Sequence, residues 1–112
     1  GIRISDSIQN IDKLLTKELE LNIFRIIQES ITNIIKHANA TEASLSIMKD
    51  NKSLLITIWD NGIGISKERK DGLGLTGIDE RIKLYRGELV IESVQPKGTL
   101  ILISLPISKI KL

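Results

Sequence analysis

Arg25, Glu29, Asn33 and His37 follow one another at four-residue steps, with Lys36 beside them. At ~100° per residue such positions share one side of a helix, while Ile27, Ile31, Ile34 and Ala38 fall roughly opposite. A carboxylate and an amide oxygen projecting in parallel suit Mg²⁺, which takes a few protein oxygens and completes its shell with water and phosphate. Arg25 and Lys36 are placed to meet those phosphates. Every amphipathic helix has a solvated polar face, so the stripe alone does not decide the matter. His37 is the chain's one histidine and there is no cysteine, which makes it a poor zinc ligand. It reads as a pocket wall or a solvated helix residue.

Two glycine-bearing segments add to this. Asp60-Asn61-Gly62-Ile63-Gly64-Ile65 follows a strand-like run directly, so Asp60 should end a strand with its carboxylate aimed into the cleft. Gly62 and Gly64 let backbone approach a flat ligand where side chains would block it. A carboxylate accepts from the exocyclic amino group of adenine and repels the O6 of guanine. Asp-Asn-Gly is also an ordinary turn. Gly72-Leu73-Gly74-Leu75-Thr76-Gly77 has Gly-x-Gly-x-x-Gly spacing and opens a helix, whose first free N–H groups attract anions. It does not follow a strand in a βαβ unit, so the dinucleotide-binding reading fails its context. Without a Gly-Lys-Ser/Thr ending it is not a Walker A loop either.

The elements that must hold these residues follow from hydrophobic spacing. Ile2 to Ile8 alternate as a short half-buried strand, and Lys17 to Asn39 carry the three- and four-residue steps of an amphipathic helix. After a connector at Ala40 to Glu42, the alternation of Ala43, Leu45 and Ile47 and that of Leu54, Ile56 and Ile58, split by Asp50-Asn51-Lys52, predict an antiparallel hairpin. Asn61 to Gly74 read as a turn and surface loop. Thr76 to Arg86 return to helical spacing through Ile78, Ile82 and Tyr85, with Gly87 placed to end the helix. Glu88 to Val94 and Thr99 to Leu105 predict a second hairpin, joined at Gln95 to Gly98. The order implies a two-layer α/β (α+β) sandwich: one mixed, mostly antiparallel sheet with helices on one face.

At 112 residues the chain suits a single domain, and 41% hydrophobic with 27% charged residues is a globular composition. The net charge of +2 is too small to announce nucleic acid or membrane contact, and 3% aromatic residues argue against base-stacking platforms. The lack of cysteine is compatible with a reducing compartment. No apolar run approaches the roughly 20 residues of a membrane span, and no signal peptide is visible. The opening on Gly1 and a strand-like stretch suggests a piece of a longer protein.

In this order, the motifs resemble the GHKL ATPases, and most closely the catalytic domains of sensor histidine kinases of the NarL subfamily. Glu20 to Ala38 look like the N box, Asp60 to Gly64 the G1 box, Gly72 to Gly77 the G2 box, and Gly98-Thr99 the closing glycine-threonine element. The resemblance covers nearly the whole chain. It implies a Bergerat-type fold over residues 1–112 that binds ATP with Mg²⁺ and supplies the γ-phosphoryl group to a histidine. Asn33 would ligate Mg²⁺, with Glu29 helping to order metal or water; Asp60 would read adenine, supported by Thr99. Gly62, Gly64, Ile65, Gly72, Leu73, Gly74, Leu75, Thr76 and Gly77 would line the nucleotide, and Lys36 and His37 the phosphate and ribose region.

Two departures stand out. Ser66 to Asp71 is shorter than the ATP lid of many histidine kinases and no Phe-containing F box is seen, although short lids are usual in the resembled subfamily. The dimerisation helices with the phosphoacceptor histidine are absent, and His37, on the nucleotide helix, is not that acceptor. The resemblance therefore implies two partners, a dimerisation and phosphotransfer domain of the parent kinase and a response regulator, in a cytoplasmic setting. An anti-sigma-type serine kinase and a non-catalytic nucleotide-sensing module share the scaffold and remain alternatives.

Overall fold

The computed structural model describes residues 2–9, 16–50, 52–63, 75–93 and 98–106, and within them all side chains except those of residues 37, 38 and 75–78. The elements run β1 (Arg3–Ile8), α1 (Lys17–Asn33), a π-helical turn (Ile34–Ala38), β2 (Glu42–Lys49), β3 (Ser53–Asp60), α2 (Leu75–Leu84), β4 (Glu88–Ser93) and β5 (Thr99–Pro106). They build a five-stranded sheet of order β1-β2-β3-β5-β4. β1 and β2 are parallel, and the other neighbours are antiparallel. A parallel pair needs a long crossover, which here contains α1.

One face of the sheet is buried. Leu54, Ile56 and Ile58 of β3 and Ile101, Ile103 and Leu105 of β5 join Ala43 and Ile47 of β2 in a cluster with Leu19, Ile23, Ile26 and Ile34 from the first helix and Ile82 from α2. The expected two-layer arrangement is therefore present. Met48, Leu55 and Val90, on the opposite face, are exposed.

Three local expectations are corrected. The buried line of α1 runs through Leu19, Ile23, Ile26 and Ser30, continuing to Ile34. Ile27 packs beside the core and Ile31 is only half-buried, so the helix is rotated from the isoleucine-only face. Ser30 is tolerated there because its hydroxyl donates to the Ile26 carbonyl at 2.9 Å. The helix is not α-helical through Asn39: its last turn is π, and Asn39 closes it in the left-handed region at φ 52°. β1 is not half-buried. All six of its residues are exposed, whereas β4, at the other edge of the sheet, keeps a half-buried alternation.

Helix ends follow local chemistry. Thr16 accepts from the Leu19 N–H at 3.1 Å, and Glu18 and Glu20 place negative charge in the first turn of α1. α2 ends with Gly87 N–H donating to the Ile82 carbonyl and Arg86 N–H to that of Lys83, each at 3.0 Å, a Schellman closure. The left-handed residue of this closure is Arg86, at φ 60°, and not the expected Gly87. Gly87 is needed for space: a Cβ there would lie 2.6 Å from the Ser104 carbonyl oxygen and from Leu105 Cδ2. Arg86→Gly is therefore expected to stabilise the fold by about 0.5–1 kcal/mol, since the left-handed penalty exceeds the added chain entropy. An unchanged urea midpoint would contradict this.

Candidate functional site

At one end of the sheet, the pairing lines up Ala43, Asp60, Thr99 and Ser93 across β2, β3, β5 and β4. Asp60 continues the buried alternation of Leu54, Ile56 and Ile58, so its carboxylate points into the helix-covered layer at 3% exposure. Its neighbours in the row are small. The Gly62 N–H donates to Asp60 Oδ1 at 2.8 Å, and no cation pairs with the carboxylate among the described residues. Burial pushes the Asp60 carboxyl above its ordinary pKa, with the Gly62 hydrogen bond opposing.

Thr99 is buried beside Asp60, and its hydroxyl lies 3.3 Å from that of Ser93. Gly98, at φ 102°, packs so tightly on the end of β3 that a Cβ would lie 2.3 Å from the Asp60 carbonyl oxygen. Asn61 fixes the other flank. Its Oδ1 accepts from the N–H groups of Thr41 and Glu42 at 3.0 and 2.9 Å, and its Nδ2 donates to Thr41 Oγ1 at 2.9 Å. Read from sequence as part of a turn, Asn61 instead ties β3 to the start of β2 and so sets where the Asp60 carboxylate sits.

A second group gathers on the helices. Arg25, Gln28, Glu29, Thr32 and Asn33 of α1 and Arg81 of α2 line an open cavity of about 380 Å³. Glu29 and Asn33 are thus together on one wall, as their spacing implies. Arg81 Nη1 lies 3.5 Å from Glu29 Oε2. Lower on the same helix pair, Asn22 Nδ2 donates to the Tyr85 hydroxyl at 2.7 Å. Among the described residues Lys36 is exposed and does not line this cavity, and neither do Asp60 or Thr99.

The side chains of His37, Leu75 and Thr76 lie outside the described part of the structure, as do Gly64, Ile65, Gly72, Leu73 and Gly74 and the Ser66 to Asp71 segment. Gly77 lies within α2, whose backbone starts inside the second glycine motif. Among the described residues there is no group of three or more His, Cys, Asp or Glu side chains suited to a metal. A cation beside Glu29 and Asn33 would draw its remaining ligands from phosphate and water, the habit of Mg²⁺. The two oxygen donors and flanking arginines fit such an ion with its phosphates.

A family model for the histidine kinase-, DNA gyrase B- and HSP90-like ATPases matches residues 18–109. The chain belongs to this ATPase family. Within it, the chain is similar to sensor kinases of the NarL-subfamily type. It is 37% identical over 94 residues to the signal transduction histidine-protein kinase/phosphatase DegS of Brevibacillus brevis, covering 82% of this chain and 24% of that protein. It is 44% identical over 85 residues to the sensor histidine kinase YxjM of Bacillus subtilis (strain 168), covering 76% of this chain and 21% of that one. The chain thus spans about a quarter or less of these relatives. In fold it is similar to the histidine kinase domain of the Erythrobacter litoralis EL346 blue-light activated histidine kinase, with a TM-score of 0.86 at 22% identity, covering 98% of this chain and 54% of that one.

For this member of the ATPase family, sequence reasoning missed Arg81 at the cavity and Asn61 as a strand clasp. Arg81 sits four residues before Tyr85 and one before the buried Ile82, and that spacing toward α1 was the available signal. No helix among the described residues is long and apolar enough to cross a membrane.

Proposed function

We propose that this domain binds Mg-ATP and presents the γ-phosphoryl group to a histidine on a separate dimerisation domain of a larger sensor kinase, which then passes it to a response regulator. The reading rests on the family and, within the molecule, on one observation: Asp60 is a buried carboxylate with no cation partner among the described residues, bonded by the Gly62 N–H and flanked by Thr99 and the close-packed Gly98. An unpaired buried carboxylate is costly to maintain. A ligand that donates a hydrogen bond, as the adenine amino group does, offsets that cost when bound.

In this reading the residues divide the work. Asp60 accepts from the base, with Thr99 beside it, and the Gly62 backbone lets a flat ring approach closely. Asn33 and Glu29 hold the cation, which when bound neutralises phosphate charge. Arg25, Lys36 and the N-terminal turn of α2 with the Gly72 to Gly77 segment steady the anionic end, and Gly64, Ile65 and His37 line the rest. The acceptor imidazole nitrogen then forms the P–N bond in line as the P–O bond to the β-phosphate breaks, and ADP leaves with that electron pair. Glu29 orders the cation or water here; as a water-activating base it would favour wasteful hydrolysis. The domain works in the cytoplasm, where ATP is supplied.

Calorimetric titration with ATP, GTP and Mg²⁺ tests the reading: ATP should bind and GTP should bind far more weakly. Equal affinity for the two bases would remove Asp60 as the base reader. Asn33→Ala is expected to leave ATP binding insensitive to Mg²⁺, measured by titrations with the ion and with a chelator. A variant that keeps the wild-type Mg²⁺ dependence would refute the metal role.

A further inference from the structure

The geometry points to Arg81 as an anion-binding residue of the cavity, held in the ligand-free state by Glu29 and transferred to the terminal phosphates of a nucleoside triphosphate. The inference rests on the nucleotide reading above and adds to it a contact from α2.

The lining of the cavity carries two guanidinium groups, Arg25 from α1 and Arg81 from α2, against one carboxylate, Glu29. Its wall is therefore net positive, which suits a polyanion. The bond between Arg81 and Glu29 is loose. The nearest atoms are 3.5 Å apart, and Glu29 Oε2, although shielded, has no hydrogen-bond partner among the described residues. The two side chains are 34% and 42% exposed. A half-exposed, poorly aligned pair contributes little, whereas a planar guanidinium on a phosphate makes two parallel charge-assisted hydrogen bonds. The exchange favours the phosphate.

Two features make Arg81 more than a surface charge. It precedes Ile82, which is fully buried, and Tyr85 further along the same helix is tied to Asn22 of α1. The stretch of α2 that carries Arg81 is thus anchored to the same helix that carries Glu29 and Asn33, and the guanidinium is presented to the cavity by a fixed support. α2 itself begins at Leu75, inside the second glycine motif, so a phosphate held by Arg81 also engages the element that starts at that motif.

The test is calorimetry on the whole chain with Mg-ATP, Mg-ADP and adenosine, for the wild type, Arg81→Met, Arg81→Lys, Glu29→Gln and the double variant Arg81→Met with Glu29→Gln. Arg81→Met is expected to weaken ATP by about tenfold or more, to weaken ADP less, and to leave adenosine unchanged. Arg81→Lys should recover part of the loss, because charge is kept and the fork is not. Measured against Glu29→Gln alone, which removes a proposed cation holder, the double variant should still show the deficit, since the lost contact is to phosphate. Equal losses for ATP and adenosine would instead make Arg81 a packing residue. Recovery of ATP affinity on adding Glu29→Gln would make it only a counter-ion, and either result overturns the inference. A wild-type chain that binds none of the three ligands overturns the nucleotide reading with it, whereas wild-type binding with no response to Arg81→Met overturns this inference alone.

Discussion

Asp60→Asn lowers ATP affinity by about 100-fold or more in our expectation, because it replaces a charge-assisted acceptor in a water-poor site with a neutral amide that presents donors toward the adenine amino group. Calorimetry with Mg-ATP measures the loss directly, and a variant within about threefold of wild type would remove the assigned base contact. The same substitution has a second signature without ligand. Burial raises the Asp60 carboxyl above its ordinary value, so the folded state holds that proton more tightly than the unfolded chain does. Its contribution to stability is then fully present below the unfolded carboxyl pKa and is lost as pH rises through the raised folded value. Asp60→Asn removes this slope. ATP binding by the wild type runs the opposite way, strengthening as pH rises through the same window, because the ionised form is the better acceptor. Opposite pH trends for stability and affinity, both erased by one substitution, are hard to obtain from a carboxylate of purely structural role.

Gly98→Ala is expected to be the most damaging single change to the fold, at about 3–5 kcal/mol, a large part of an ordinary domain's stability. Two effects combine. The backbone there is at φ 102°, which side chains of L-residues rarely adopt, and the new methyl would lie 2.3 Å from the Asp60 carbonyl oxygen. That oxygen belongs to β3, a strand paired on both sides, and cannot yield as a side chain would. Gly87 offers a contrast. One of its close contacts is Leu105 Cδ2, the end of a flexible side chain, so part of that clash can relax. Urea unfolding ranks the two, and a Gly98→Ala midpoint close to wild type would show that β5 shifts freely against β3. Because the displaced atom belongs to Asp60, ATP affinity should fall along with stability.

The sheet was largely legible because burial on one face imposes strict alternation. Leu54, Ile56, Ile58 and Asp60 announce a strand whose final inward position is a carboxylate, and Ile101, Ile103 and Leu105 do the same for its neighbour. The order of motifs carried the family, which the match over residues 18–109 bears out. Where reading failed, the missing information was long-range. Ser30 hid the true face of α1, because a serine that back-bonds to its own helix packs like an apolar residue. The isoleucines of β1 look half-buried in sequence, yet nothing in their spacing reveals that the strand is exposed along its whole length. Arg81 resembles any solvated helix charge until α1 is brought against α2. Arg86 adopts the left-handed turn usually left to glycine, because the adjacent position needs glycine for space.

β3 lies between β2 and β5, with Asp60 opposite Ala43 on one side and Thr99 on the other, and the pleat turns each successive side chain over. Slippage by a single residue on either side would swing the carboxylate out to the solvent face and bring Trp59 inward in its place. With Asp60 as the proposed base contact, a chain that captures nucleotide would already have passed an assembly check: occupancy would report that the three central strands have met in the correct frame, and a misthreaded chain would be blind to the ligand.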